Sequence, residues 1–437
     1  MDTHARVVVI GGGISGVCAA LAAAKSIESV LLIESSDTLG GIATEGPLEA
    51  LMTFHDEQGQ VVKGIAQEII KQLVDCEGSP GFVSDTVGYC KSIVPYDSEL
   101  LRLTLLKMLR DAGVEFLLNC MLTHVETEFD QVIAVVVTGN AQSIRFTCDV
   151  IIDASGDGNA ARLAGGRLLF GRSEDSKVQP MSTLFKIAGV DNRLLRQYVQ
   201  NHPQEFKIAV DADLDAQYLH LWGFTSVLAS GIALGTLSLH RNEIQLMMTP
   251  REGVAVVNFS RVVGDPRNPE VVSSAQRQTL EQCHELMAHL RNSIDAFKHA
   301  HIVHTGKIGI RESTRVLGRY ELQMKDILDG MEFPTTVARG AFPIDIHQPD
   351  GDSLVCKMVA RSYAIPMESL RAKDFLNLFM CGRCICATHE ALASARITAT
   401  AMATGHAAGV MASVYLEDHT VPYSAVRGRL LAQSAIL

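Results

Sequence analysis

The stretch Val7–Lys25, VVVIGGGISGVCAALAAAK, decides the fold. Residues 6–10 are a β-branched apolar run that predicts a buried strand, and residues 14–26 are an alanine-rich run that predicts a helix. Between them Gly11, Gly13 and Gly16 stand at the GxGxxG spacing. The first glycine permits the tight turn, the second lets backbone approach a pyrophosphate, and the third lets helix and strand pack closely. The helix start then offers free N–H groups and positive dipole to phosphates, together with the flanking Ile14 and Ser15. A glycine turn with no ligand is the alternative that further segments have to decide against.

Working outward, a second strand over residues 29–34 ends at Glu34, 23 residues beyond Gly11. A carboxylate there accepts hydrogen bonds from both hydroxyls of an adenosine ribose and repels a 2′-phosphate, which counts against NADP. SSDTLGGIATEG follows at once, bringing Ser35, Gly40, Gly41, Ala43, Thr44 and Gly46 where a plain NAD-binding unit would start another helix. A second close backbone approach suits a dinucleotide that continues into a ribityl chain and a tricyclic ring, so the segment favours FAD over a solvent loop. DVIIDASGDGNAARLAG repeats the theme: a buried strand ends at Asp153 and is followed by the small residues Ala154, Ser155 and Gly156, with Asp157 and Gly158 as a helix-start turn. Far along the chain, NLFMCGRCICATHEALASARITATAMATGHAAG delivers Gly382 and Arg383 from a strand, then a helix rich in small residues through Arg396 and Ile397. Its N-terminus would aim positive dipole at the flavin N1 and C2 carbonyl, where negative charge gathers on reduction.

The bulk properties narrow the setting. A chain of 437 residues with 47% hydrophobic residues predicts two domains with a large interior. A net charge of −11 provides no basic field for a phosphate backbone, so nucleic acid is set aside. The ten scattered cysteines fit reduced thiols in a cytoplasmic protein. Apolar runs such as VLASGIALGTL are too short to span a membrane, and ALASARITATAMATGHAAGVMA carries Arg396 and His406. Helices are expected over about 64–75 and 98–111, the latter capped by Asp97. Strand-like runs from 114 to 155 complete a small sheet and return to the main one. Beyond Gly166 the texture becomes antiparallel, with STLFKIAGV, NEIQLMMTP and VAVVNFSRV, then an amphipathic helix over about 271–298. The expected division is residues 1–165 and 304–437 as two parts of a dinucleotide-binding domain, with residues 166–303 inserted as a substrate-facing domain.

The combination of GGGISG, GGIATEG, DASGDG, GIRESTRVLGRYEL, IPMESL and GRCICATHEALASARI resembles the FAD-dependent oxidoreductases distantly related to the fumarate reductase and succinate dehydrogenase flavoproteins. MTFHDEQGQVVKGIAQEI and VPYDSELL extend the likeness over most of the chain. The resemblance implies an α/β, Rossmann-like FAD-binding domain of the glutathione-reductase type, carrying an inserted antiparallel sheet and helix. It adds Val125 to the residues expected against FAD. The sequence departs from the pattern at Cys381 and Cys386, where other small residues are expected, and at ARITATAMATG, which lacks a proline after the arginine. No second GxGxxG with its own acidic residue occurs, so electrons are expected from the substrate rather than from a nicotinamide.

For the chemistry, a hydride leaves carbon more easily when a base takes the partner proton and cations hold an acid group. His389, Arg396, His55 and Arg311 are the candidates, while Glu312 and Arg315 lean towards a structural ion pair. His389 reads equally as a buried hydrogen-bonding residue, and His55 as part of a turn beside Asp56. Cys381, Cys384 and Cys386 form CxxC and CxC pairs, yet a fourth metal ligand is missing, so no metal is expected. The leading expectation is two-electron oxidation of a small polar, carboxylate-bearing molecule at a CH–OH, CH–NH or CH–CH bond. The acceptor is left open among O2, a quinone and a carrier protein, and a homo-oligomer is admitted. An enoate reductase running the flow backwards, or a non-catalytic FAD-fold binding protein, are the alternatives.

Overall fold

The computed structural model describes residues 3–349 and 354–437. Strand β1 (Thr3–Ile10), helix α1 (Ile14–Ala24) and strand β2 (Val30–Ile33) form the expected opening, with β1 and β2 parallel. Helix α2 (Ile65–Asp75) and helix α3 (Ser98–Asp111) follow; Asp97 caps α3 by accepting from Glu99 N at 2.9 Å and Leu100 N at 3.1 Å. The apolar run after α3 divides into β3 (Glu115–Leu117), parallel to β2, and β4 (Met121–Glu128), antiparallel to β5 (Gln131–Gly139).

Strand β6 (Gln142–Asp153) corrects the expectation of a separate small sheet. Its first half pairs antiparallel with β5 and its stretch Phe146–Asp153 runs parallel to β1, so one twelve-residue strand makes hairpin and parallel layer a single seven-stranded sheet. The centre of this sheet is covered on both faces, which is why β1, β2 and the end of β6 are uninterrupted apolar runs rather than alternating ones.

A second, five-stranded antiparallel sheet contains β7 (Leu184–Ala188), β8 (His220–Gly223), β9 (Ile244–Met248), β10 (Val254–Asn258) and β11 (His301–Thr305), in the order β8-β9-β10-β7-β11. Period-two alternation splits its side chains. Phe185, Leu221, Leu246 and Val257 pack with Cys283, Leu286 and Leu290 of helix α4 (Pro269–Ser293). The opposite face carries Leu184, His220, Gln245, Met247 and Asn258, and it roofs the cavity described below. Helix α4 starts and stops earlier than the sequence reading: Asn268 caps it, and Ile294 is extended.

The chain then returns to the first sheet. Strand β12 (Leu378–Met380) pairs parallel with the last residues of β6. The small-residue run beyond it is two helices, α5 (His389–Ala395) and α6 (Thr398–Asp418), broken at Arg396 and Ile397. Helix α6 is buried on all sides along most of its length. A Cβ on Gly409 would lie 2.2 Å from the Ala19 carbonyl, so a glycine lets α6 seat directly on α1.

Candidate functional site

A cavity of about 510 Å³ runs from the carboxyl ends of β1, β2 and β6 to the roof provided by the five-stranded sheet. Its first part is built by the opening motif. A Cβ on Gly16 would stand 1.9 Å from the Gly11 carbonyl, so only glycine lets α1 begin this close to the turn. Helix α1 has neither a side-chain cap nor an acidic residue in its first turn, leaving its end free for an anion. At Gly13, the residue that precedes α1, an added Cβ would meet nothing within 4 Å: the backbone there faces open cavity.

Glu34 closes this end. Its carboxylate accepts from Gly12 N at 2.6 Å, Ser36 N at 2.8 Å and the Ser35 hydroxyl at 3.0 Å. A carboxylate has about four lone-pair sites, so these bonds fix its orientation and leave capacity towards a ribose. Gly40 and Gly41 lie beside Gly13, and Ala154, Ser155, Gly156 and Gly382 continue the wall. Arg383 lies along Gly156 and pairs with Asp157 at 3.0 Å. The set fits a dinucleotide: a fixed carboxylate for ribose hydroxyls, an uncapped helix start for phosphates, and a wall of side-chain-free backbone.

Of the residues expected to hold the cofactor, Gly11, Gly13, Ile14, Ser15, Glu34, Ser35, Gly40, Gly41, Ala154, Ser155, Gly156, Gly382, Arg383, Arg396 and Ile397 line the cavity. Gly16, Ala43, Thr44 and Val125 do not. Gly16 acts from beneath, through the packing of α1. Ala43 is fully buried in the core, and the Thr44 hydroxyl donates to the Leu39 carbonyl at 2.5 Å. Val125 turns into the core with Val135, its partner across the hairpin; Cys120, Met121 and Leu122 supply that wall instead. The helix start expected after Gly382 is that of α6, whose Thr398 reaches the cavity from the break at Arg396–Ile397.

The second part of the cavity is polar and densely charged. Arg311 and Arg396 both line it, as does Asp345. Arg311 donates to the Pro180 carbonyl at 2.7 Å. Arg396 lies 3.8 Å from the Asp345 carboxylate. His347 bridges Arg261 and Asp345, accepting from the guanidinium at Nδ1 while its Nε2 stands 3.2 Å from the carboxylate. Arg311 and Arg396 thus face the Asp345 carboxylate across the cavity wall, with His347 between Asp345 and Arg261. Burial and then repulsion from Arg396 and Arg261 push the Arg311 pKa well down. Burial and Arg311 push His347 down to about 3, which keeps the ring neutral. Burial opposes the charge on Asp345, but His347, Arg396 and Arg311 hold it below the usual carboxylate range. An arginine keeps its proton, so Arg311 and Arg396 together beside Asp345 would suit an anion.

Unmet hydrogen-bonding groups collect around the same cluster. Among the described residues, His220 Nε2, Asn258 Oδ1 and Arg396 Nε are buried without a protein partner, and all three residues line the cavity. Buried polar atoms are ordinarily paired, so a mixed set of donors and acceptors at one end points to a ligand carrying both.

The other expected catalytic residues stand apart. The ring of His389 is buried and its Nδ1 lies 2.7 Å from Glu312, which also pairs with Arg315; the three form an ion-pair network off the cavity wall. His55 bonds the Ser92 hydroxyl at 2.8 Å and packs edge-on against Phe82. It does not reach the lining either. Cys381, Cys384 and Cys386 are buried free thiols whose pKa values burial raises, the opposite of a reactive cysteine. Sequence reading missed Asp345, His347, His220 and Asn258. None belongs to a motif, and only the folding of the sheets brings them together.

A family model described as FAD dependent oxidoreductase matches residues 6–434. No curated protein sequence matches the chain. Among solved structures, a geranylgeranyl bacteriochlorophyll reductase-like protein from Thermoplasma acidophilum is similar at 14% identity and a TM-score of 0.53, covering 100% of this chain and 85% of its own. A p-nitrophenol 4-monooxygenase from Pseudomonas putida DLL-E4 is similar at 10% identity and a TM-score of 0.50, covering 99% and 85%. At such identities the likeness is one of fold. Among the described residues no helix is long and apolar enough to cross a membrane.

Proposed function

The chain belongs to the FAD dependent oxidoreductase family, and on that premise we propose that it takes two electrons from a small carboxylate-bearing substrate at a CH–OH, CH–NH or CH–CH bond. The observation that carries the proposal is the pair Arg311 and Arg396, both buried and both lining, beside Asp345, the same cavity that Glu34 and the glycine turn line. An arginine fork binds a carboxylate bidentately and fixes its direction. Bound FAD supplies a two-electron acceptor.

The chain's own residues then have distinct tasks. Glu34 and the start of α1 hold the adenosine and phosphates; Gly40, Gly41, Gly156 and Gly382 let backbone approach the rest of the cofactor. Arg311 and Arg396 receive the substrate's carboxylate; Asp345 keeps the Arg396 guanidinium in place and the Pro180 carbonyl that of Arg311. Leu184, Met247 and Phe342 contribute apolar wall that excludes water around the reacting carbon. We assign residues 166–303 as a substrate-facing unit inserted into a glutathione-reductase-type cofactor domain, because its sheet face roofs the cavity.

The test is anaerobic mixing of the FAD-loaded protein with 2-hydroxy acids, 2-amino acids and saturated dicarboxylic acids. At least one is expected to bleach the yellow flavin band, and its methyl ester to fail. No bleaching by any acid, or equal bleaching by the esters, contradicts the proposal. Oxidation of reduced viologen by unsaturated acids alone would show electrons running the other way, into an enoate.

A further inference from the structure

Two histidines line the cavity. Both ring nitrogens of His347 are engaged, by Arg261 and Asp345. His220 differs. Its Nδ1 lies 2.7 Å from Asp85 Oδ1, both side chains are fully buried, and its Nε2 has no protein partner. Asp85 is itself held as an acceptor: Tyr89 N donates to it at 2.7 Å, Cys90 N at 2.9 Å and Val87 N at 3.2 Å. Burial works against its charge, but His220 and these amides hold its pKa below the ordinary value. A carboxylate on Nδ1 fixes the tautomer, placing the hydrogen there and a bare lone pair on Nε2. The Thr86 hydroxyl clamps the backbone on both sides, accepting from His220 N at 3.0 Å and donating to His220 O at 2.5 Å.

We propose that His220, oriented by Asp85, is the proton acceptor of the reaction. The proposal rests on the reading of the site as one that oxidises a carboxylate-bearing substrate. In a substrate H–C–X–H, with X oxygen or nitrogen, the hydride leaves carbon with its electron pair for the bound FAD. The X–H proton goes to His220 Nε2, and the freed pair forms the C=X bond. The two electrons would pass to FAD as the acceptor, and His220 holds the proton as an imidazolium beside the Asp85 carboxylate. Asp85 is a positioning residue: it sets the tautomer and balances the charge that appears. His389 and His55 have no such place, since neither lines the cavity.

The experiment uses the full chain loaded with FAD and the acid that bleaches it. His220→Gln is expected to retain FAD and to slow flavin reduction by about 10²–10⁴-fold, the usual worth of a general base, with little change in KM. Imidazole should restore part of the rate in His220→Ala and none in Arg311→Met. A wild-type rate in His220→Gln overturns the inference while leaving the proposed function intact. Independently of turnover, ¹⁵N-histidine NMR of the wild-type protein should show His220 as the Nδ1–H tautomer with a bare Nε2, and Asp85→Asn should shift that signature. An Nε2–H tautomer overturns the proposal even if the variants fail to fold. Bleaching by no acid would overturn the function, and the tautomer would still judge the dyad.

Discussion

Arginine residues are legible in a sequence as charge, but their surroundings decide what the charge does. Arg311 and Arg315 are four residues apart, yet the first faces the cavity and the second is closed into a pair with Glu312. Glu312 is fully buried and also accepts from Gln179 N at 3.2 Å besides holding His389. Removing one partner of a buried ion pair strands the others and costs about 3–5 kcal/mol. Glu312→Ala is therefore expected to lower the unfolding free energy by that amount in a denaturant titration, whereas His389→Gln costs less, because its partner keeps Arg315. If His389→Gln left stability untouched and abolished flavin reduction, His389 would have to be moved into the chemistry. At this scale the sequence reading named Arg311 and Arg396, which the fold places on the cavity, and leaned to an ion pair for Glu312 and Arg315, which they form. It had no means to find Asp345 or His220, which owe their positions to strands far apart in the chain.

The elements around the opening motif were the most legible part, because each glycine answers a local steric demand. Gly13 and Gly16 separate the two demands. At Gly16 a Cβ collides with backbone inside the fold; at Gly13, φ −60° and ψ 170° suit any residue and the Cβ would enter open cavity. Gly13→Ala is thus expected to leave stability of the FAD-free protein within about 0.5 kcal/mol, as an uncrowded substitution does. With the phosphates at the start of α1, as proposed, the added methyl would take their place and the purified protein should lose its flavin absorbance. Retained FAD would show that the phosphates do not rest at the start of α1. Element boundaries elsewhere were less legible. The long strand β6 serves two sheet geometries at once, and the break between α5 and α6 falls at Arg396–Ile397 without a glycine or proline to announce it.

For the whole molecule, acid is the condition that should loosen it first. His406 is buried in α6 with Nε2 against the Gln433 side-chain oxygen at 2.8 Å, and burial pushes its pKa down to about 4 despite that bond. The folded ring is neutral while the unfolded ring takes a proton below about 6.5. Its contribution is complete above that pH and is lost as pH falls to about 4, roughly 3 kcal/mol in all. His347, down to about 3, extends the same loss to lower pH. Thermal unfolding of the FAD-loaded protein should show Tm falling from pH 6.5 towards 4, with a shallower fall in His406→Gln. A Tm that is flat across that range would contradict the neutral, buried state of the ring.

The joining of two sheets over one cavity is also a property of the whole molecule. The charged residues Arg311, Asp345 and Arg396 and the glycine wall share one cavity, over which the five-stranded sheet turns the face that carries His220, Gln245 and Asn258. The central claim is that an anion-binding end and a FAD-binding end share this cavity. A crystal structure of the FAD-loaded protein with succinate tests it most directly. The adenosine ribose is expected on Glu34, the phosphates at the start of α1, and one succinate carboxylate between Arg311 and Arg396. Succinate bound away from both arginines, or FAD seated away from Glu34 and α1, would contradict it.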